Sequence, residues 1–79
     1  MTDTEIIELL AEALEVEPST LTPDTAIADV EEWNSLGWLS VMSLLDERFD
    51  VSLSAAQIRS MRTVADVLQH VRAKTVAGA

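Results

Sequence analysis

The sequence predicts an all-α fold, a small four-helix bundle whose third helix is short. Three stretches of the 79-residue chain carry apolar residues at helical spacing, and a fourth, shorter stretch follows a serine that can cap a helix. Two glycines, two prolines and the absence of tyrosine favour continuous helices over a sheet with many turns. At this length we expect residues 1–79 to form a single domain.

The first helix is predicted to begin at Thr2 or Asp3 and to end by Val16, ahead of Pro18. Thr2 and Glu5 have the spacing of a capping box, which satisfies free N–H groups at a helix start. The apolar face of this helix comprises Ile6, Leu9, Leu10, Ala13 and Leu14. Glutamates occupy the opposite side, which we expect to be a solvated face: Glu5, Glu8, Glu12 and Glu15.

Residues 17–34 are predicted to form a long loop, because Pro, Ser, Thr and Asp dominate its first half. A loop of this length must be anchored in a compact domain. Leu21, Ile27 and Val30 are the apolar residues available as anchors. The loop carboxylates lack the spacing and the central glycine of an EF-hand, so we expect no metal site.

The second helix is predicted to run from Ser35 to about Arg48, with Asn34 as its N-cap. The Ser35 hydroxyl is then expected to lie beside unpaired N–H groups at the positive end of the helix dipole, a favourable place for a phosphodiester. The face expected in the core comprises Trp38, Val41, Met42, Leu45 and Phe49. We expect the Trp38 indole to point into the interior near Ser35; the alternative is a surface position beside Trp33.

Two more helices are predicted after this one. Ser54 can cap a short helix over residues 55–60, with Ile58 facing inward. Thr63 and Asp66 have the spacing of a capping box at the start of the last helix. The apolar stripe of that helix comprises Val64, Val67, Leu68 and Val71.

Few residues of this chain are suited to catalysis. The absence of cysteine excludes a disulfide, a thiolate metal site and a thiol nucleophile. His70, the single histidine, lies off the last apolar stripe, so we expect it to be exposed and without a role. With no histidine–nucleophile pair and no glycine-rich phosphate loop, the sequence predicts that the protein is not an enzyme. We expect residues 75–79 to fray.

Charge is distributed unevenly along the chain. The net charge is −9, but residues 1–50 hold thirteen acids and one base, whereas residues 51–79 hold one acid and four bases. This balance argues against binding nucleic acid and favours partners with basic surfaces. No apolar run approaches the roughly 20 residues that span a bilayer, and the N-terminus lacks signal-peptide features. We therefore expect a cytoplasmic protein that does not bind membranes.

The start of the second helix resembles the modification site of acyl carrier proteins, on the residues Asn34-Ser35-Leu36, Leu39, Leu45, Asp46-Glu47 and Phe49. The run from Trp33 to Leu39 is similar to the Trp-Asp-Ser-Leu-Gly variant of specialised carriers, and the resemblance extends from Ile6 to Val71. It implies an up-down bundle in which a long loop joins the first two helices. It also implies that a phosphopantetheinyl transferase moves 4′-phosphopantetheine from coenzyme A to Ser35, with Asn34 capping and presenting the serine.

The resemblance further implies a docking surface for partner enzymes. Its candidate contacts are Leu36 and Leu39 with the acids Glu31, Glu32, Asp46 and Glu47. For the two leucines, packing beneath the preceding loop is an equal alternative. Gly37 costs up to about 1 kcal/mol relative to alanine inside a helix. We attribute its presence to the close approach of an enzyme to Ser35, which a side chain at position 37 would hinder.

Two functions are consistent with this sequence. The first is a monomeric acyl carrier that holds an acyl or aminoacyl group as a thioester, with an activating ligase and downstream acyl-transfer enzymes as partners. Because Asn34 replaces the usual aspartate, and Gly37 and Ser40 stand where fatty-acid carriers commonly have acids, we expect a specialised pathway. A tryptophan at position 38 predicts a small or polar cargo kept outside the bundle. The alternative function is an unmodified acidic helical module that binds a basic partner.

Overall fold

The computed structural model describes residues 2–77, with side chains through Lys74, and that part of the chain is helical without strands. Its helices are α1 (Asp3–Leu14), α2 (Ser35–Phe49), α3 (Ala55–Ser60) and α4 (Val64–Ala77). The predicted four-helix bundle, with its short third helix and long first loop, is confirmed. α4 includes residues 75–77, where we expected fraying to begin, and residues 78–79 lie outside the described part.

The start of α1 is the predicted capping box. The Glu5 N–H donates to Thr2 Oγ1 over 3.2 Å, and the Thr2 N–H donates to Glu5 Oε1 over 3.1 Å. The helix ends at Leu14, two residues before the predicted limit, because Glu15 adopts the left-handed conformation with φ 58°. Its N–H then bonds back to the carbonyls of Ala11 and Glu12, which is a common helix ending.

The acidic side of α1 is less isolated than the sequence indicates. Glu12 forms an ion pair with Arg48 of α2, and Asp3 forms one with Arg72 of α4 at 3.2 Å. Both pairs are half-exposed, so each contributes at most about 1 kcal/mol to stability. The basic partners of these α1 acids are distant in sequence. Helical periodicity therefore predicts only a solvated face.

The core is apolar throughout the described part of the chain, with no buried polar or charged residue. α1, α2 and α4 supply its fully buried side chains, which are Ile6, Leu9, Leu10, Val41, Leu45, Val64, Val67 and Val71. The predicted core positions of α2 divide into two classes. Val41 and Leu45 are buried, whereas Trp38, Met42 and Phe49 are half-buried at the edge.

The long first loop is ordered by local turns and by contacts with the start of α4. Two short 3₁₀ turns, Pro18–Thr20 and Ile27–Asp29, interrupt it. Leu21 and Ile27 are buried as predicted, and Val30 packs half-buried against the core.

Backbone hydrogen bonds join this loop to the first turn of α4. The Val64 N–H donates to the Thr25 carbonyl over 3.0 Å, and the Ala65 N–H donates to the Pro23 carbonyl over 3.0 Å. In the other direction, the Ile27 N–H donates to the Arg62 carbonyl over 2.9 Å. The loop therefore satisfies N–H groups that the end of a helix leaves without a partner.

Side-chain caps begin both of the last two helices. Ser54 and Gln57 form the capping box of α3, with bonds of 3.1 and 2.9 Å. At α4, Asp66 Oδ2 accepts the N–H groups of Arg62 and Thr63 at 2.8 and 3.1 Å. These two backbone donors, Arg62 first, lower the pKa of the Asp66 carboxyl below its usual value.

The expected exposure of His70 is wrong. This residue is half-buried, and its Nδ1 lies 2.8 Å from the Asp66 carbonyl oxygen. A carbonyl oxygen only accepts hydrogen bonds, so Nδ1 is the donor. The His70 ring thus forms a hydrogen bond with the backbone of α4 one turn earlier in the same helix.

Gly37 lies where the first turn of α2 crosses the preceding loop and the end of α1. A Cβ at this position would overlap the carbonyl oxygen of Glu32 and lie 2.9 Å from Cδ2 of Leu14. Glycine is therefore required here by close packing inside the protein, which leaves no room for a side chain. The predicted reason, the close approach of an enzyme to Ser35, is not needed to explain it.

We expect Gly37→Ala to lower the free energy of unfolding by about 1–3 kcal/mol, the usual cost of overpacking. The loss occurs although alanine is the better helix former by up to about 1 kcal/mol, because the Glu32 carbonyl is backbone and yields little. Urea unfolding monitored by circular dichroism measures it. Ser43→Ala, at an exposed position of the same helix, is the control and should be neutral or slightly stabilising. A Gly37→Ala variant as stable as the wild type contradicts this packing.

We expect Asp66→Asn to lower the melting temperature at neutral pH, because the Asp66 carboxylate accepts two backbone N–H groups. Its folded pKa lies below the unfolded value, so its contribution is present above about pH 4 and is lost as pH falls through the folded pKa. Melting temperatures of wild type and variant should therefore converge in acid. Asp46→Asn removes the same charge at an exposed position in α2 and is the control for the loss of a carboxylate. A constant difference between Asp66→Asn and wild type down to pH 2 would refute the linkage.

Candidate functional site

Ser35 is the first residue of α2, and Asn34 is its N-cap as predicted. Asn34 has an extended backbone, and its Oδ1 accepts the N–H groups of Leu36 and Gly37, both at 3.0 Å. The Trp38 N–H donates to the Asn34 carbonyl over 2.9 Å. The expectation of unpaired N–H groups beside Ser35 is therefore partly wrong, since the asparagine side chain already occupies two of them.

The Ser35 side chain is presented to solvent. The residue is exposed, and within the described part of the chain its hydroxyl makes no hydrogen bond. It lies at the positive end of the dipole of a 15-residue helix. An accessible primary hydroxyl at this position is suited to carry a phosphodiester, because the helix terminus favours negative charge. The residues present therefore fit a phosphopantetheine arm.

Two tryptophans enclose the cap of α2. Trp33 precedes the cap and Trp38 is the fourth residue of the helix, which are the two positions of a hydrophobic staple. Their ring centroids lie 5.1 Å apart with the planes tilted by 52°. This contact sets the angle at which the loop enters α2. It therefore also sets the direction in which the Ser35 side chain projects from the start of the helix.

The two tryptophans differ in burial, and their positions in the sequence did not predict which one is in the core. Trp33 is only 5% exposed and belongs to the core, whereas Trp38 is half-buried and packs against it. Trp38 thus meets each expectation only in part, because it packs half-buried against the core and lies beside Trp33, which is itself buried. A signal for this arrangement was available, because apolar residues on both sides of an Asn cap at this spacing indicate a staple.

Leu36 and Leu39 are the exposed large apolar residues of the described chain, at 74% and 62%. Packing beneath the loop is therefore excluded for these leucines. At 100° per residue, both project on the same side of α2 as Asp46 and Glu47, away from Val41 and Leu45. These four residues are the predicted partner contacts on α2; we call them the docking face, and they extend roughly 17 Å along the helix.

The remaining predicted acids, Glu31 and Glu32, are exposed in the loop just before the cap. They line a surface groove between the loop and the end of α1, together with Glu15, Glu17 and Asp29. The groove places negative charge beside the N-terminus of α2, which attracts basic partners over a distance. In the described residues no group of carboxylates or histidine has an arrangement that could hold a metal ion.

None of the helices in residues 2–77 combines the length and the apolar character that a bilayer span requires.

The sequence is similar to known carrier proteins. Residues 4–71 match the family model described as the phosphopantetheine attachment site. The chain is 28% identical over 67 residues to the meromycolate extension acyl carrier protein of Mycobacterium leprae (strain TN), a match that covers 85% of this chain and 58% of that protein. It is also 28% identical over 81 residues to the acyl carrier protein of Thermosynechococcus vestitus, covering 98% of this chain and all of that protein.

The meromycolate relative of Mycolicibacterium smegmatis is 29% identical over 75 residues, or 76% of its length. The chain thus spans a little over half of the first mycobacterial protein and the whole of the cyanobacterial one. The family match covers most of the chain and includes the start of α2, where Ser35 lies. Members of the matched family carry a cofactor and are not themselves enzymes. The chain belongs to the acyl carrier protein family, whose members bear covalently attached 4′-phosphopantetheine.

Proposed function

We propose that Ser35 is the attachment residue for 4′-phosphopantetheine and that the protein carries acyl or aminoacyl groups between enzymes of a specialised biosynthetic pathway. The observation that carries this proposal is the exposed Ser35 hydroxyl at the capped start of α2, inside the matched region. When bound, the arm supplies a terminal thiol that holds the cargo as a thioester. The chain itself has no cysteine for this purpose.

The chain's own residues would favour the phosphodiester in two ways. Asn34 holds the first turn of α2 by accepting two backbone N–H groups, so the backbone from which the Ser35 hydroxyl projects is fixed. The dipole of α2 stabilises negative charge at the same end. Asparagine makes the capping bonds without a charge of its own, so the phosphodiester has no carboxylate as its immediate neighbour at position 34.

The docking face supports the proposed partners. Its exposed leucines supply apolar contact next to Ser35, and its acids lie about three turns further along the helix. A phosphopantetheinyl transferase, an activating ligase and acyl-transfer enzymes with complementary basic rims fit this pattern. Glu31 and Glu32 extend the acidic surface to the other side of Ser35.

A specialised pathway is supported by the uncharged positions near Ser35. Gly37 cannot be replaced by an acid, because its Cβ would overlap the Glu32 carbonyl oxygen. Ser40 is exposed and uncharged. Enzymes that read acids at these two positions would find none, so we infer a dedicated set of partners. The monomeric state and the cytoplasmic location expected from the sequence belong to the same proposal.

We expect Ser35→Ala to abolish modification. The wild-type protein, incubated with coenzyme A and a broad-specificity phosphopantetheinyl transferase, should gain the mass of one phosphopantetheine by intact mass spectrometry. Ser35→Ala should gain none, because it lacks the attacking hydroxyl. Ser40→Ala removes an exposed hydroxyl from the same helix and should be modified like the wild type.

The same experiment separates the carrier from the alternative, an unmodified interaction module. A wild-type protein that is folded but gains no mass under conditions where another carrier is converted supports the module. A Ser35→Ala variant that is still converted shows that another serine is the attachment residue.

We expect Glu47→Lys or Glu32→Lys to lower kcat/KM for loading by a phosphopantetheinyl transferase about 3–10-fold at low ionic strength, since like charges slow association. The difference should shrink as added salt screens these exposed charges. Glu8→Lys makes the same charge change at an exposed position of another helix, α1, outside the set of docking-face residues, and is the matched control. Equal rates for all three variants, with no salt dependence, would show that acidic docking plays no part.

A further inference from the structure

We propose that Trp33 and Trp38 close the bundle interior beside Ser35 and thereby restrict the cargo to short or polar acyl groups that remain in water. The inference rests on the proposed attachment at Ser35 and goes further by naming the class of cargo. The two indoles flank the attachment residue in sequence, two positions before it and three after it. They also contact each other across the cap.

The interior next to the site is already filled. Trp33 is 5% exposed and packs in the same cluster as Val41 and Leu45, which are fully buried. A tryptophan buries about 150–250 Å² of surface, more than most other side chains. The cleft next to Ser35 is an open groove at the surface, with Leu14, Glu15, Glu32, Asn34, Leu36 and Ser40 among its lining residues. An alkyl chain attached at Ser35 would therefore need to displace core side chains to enter.

Displacement of Trp33 would also disturb the attachment site. Trp33 is held at its backbone by a 3.0 Å bond from its N–H to the Val30 carbonyl, and at its ring by Trp38. Trp38 is held in turn by the bond from its N–H to the Asn34 carbonyl. Opening the interior here would break the staple that sets the start of α2. Densely packed cores resist such changes.

The apolar surface that a cargo leaves in water therefore determines which acyl groups are suited to this carrier. A long alkyl chain that stays outside keeps its methylenes in water, whereas a short or polar acyl group has little apolar surface to hide. The groove beside Ser35 combines the carboxylates of Glu15 and Glu32 with the apolar side chains of Leu14 and Leu36, and it is open to water. The surface therefore provides no enclosed substitute for an interior pocket.

The polar atom of Trp33 makes the test simple to design. Its Nε1 is buried and has no hydrogen-bond partner in the described part of the chain. Replacement of the indole by an apolar side chain therefore leaves no acceptor unpaired. Trp33→Leu and the half-buried Trp38→Leu are the test variants. Phe49→Leu shortens a half-buried aromatic on the same helix, roughly 21 Å from Ser35, and is the matched control.

The experiment compares acetyl and octanoyl forms of each protein, made by transfer of the acyl-phosphopantetheine from the corresponding acyl-coenzyme A. Intact mass spectrometry first establishes complete loading, so a failure of the attachment proposal is detected before cargo is compared. Thermal unfolding and the chemical shifts of core methyl groups are then measured. An octanoyl chain that enters the core should raise Tm by on the order of 10 °C over the acetyl form.

We expect the two wild-type forms to melt within about 2 °C of each other, with unchanged core methyl shifts. In Trp38→Leu, and in Trp33→Leu if it folds, the octanoyl form should be more stable than the acetyl form, whereas Phe49→Leu should behave like the wild type. A clear rise in Tm for wild-type octanoyl protein, with shifted core methyls, overturns the proposal. Absence of a rise in both tryptophan variants also overturns it, because the indoles then do not close the interior.

Discussion

The contact between Trp33 and Trp38 across the Asn34 cap is the interaction on which the site depends. It joins Trp33, which precedes the Asn34 cap, to Trp38, the fourth residue of α2, while the Asn34 side chain accepts two N–H groups of the same turn. Each contact alone defines where a helix begins. Together they hold the chain on both sides of Ser35, the first residue of the helix.

The same junction explains the glycine in the first turn of α2. The loop must lie close to the helix for Trp33 to reach the core, and Glu32 then brings its carbonyl against position 37. Only a residue without Cβ allows this approach. Trp33, Asn34 and Gly37 are therefore parts of one arrangement, in which the price of a glycine in a helix is offset by burial of an indole.

A second constraint comes from the far end of the loop. Backbone groups of Pro23, Thr25 and Ile27 bond with the segment that begins α4, and Asp66 caps that segment from within the helix. These bonds hold the loop at its middle, and Trp33 holds it at its end. A stretch of turn-forming residues is thereby ordered without long regular structure, and Glu31 and Glu32 are placed beside Ser35.

The helices, their caps and the place of Ser35 at the start of α2 could be predicted from the chain alone, because they depend on residues at most four positions apart. The boxes of Thr2 with Glu5 and of Ser54 with Gln57 act over that range, and so does the cap of Asn34. The buried positions of Val41 and Leu45 also follow from helical spacing alone.

Contacts between residues distant in sequence could not be predicted, because they depend on how the helices and the loop pack together. Periodicity shows which face of α2 is apolar, but not that Trp33 from the loop covers the core and leaves Trp38 at its edge. It does not show that Leu36 and Leu39 remain exposed, since burial depends on what packs above them. The role of Gly37 likewise depends on where the loop passes, which is set by the sum of its anchors and by no single residue near it in sequence.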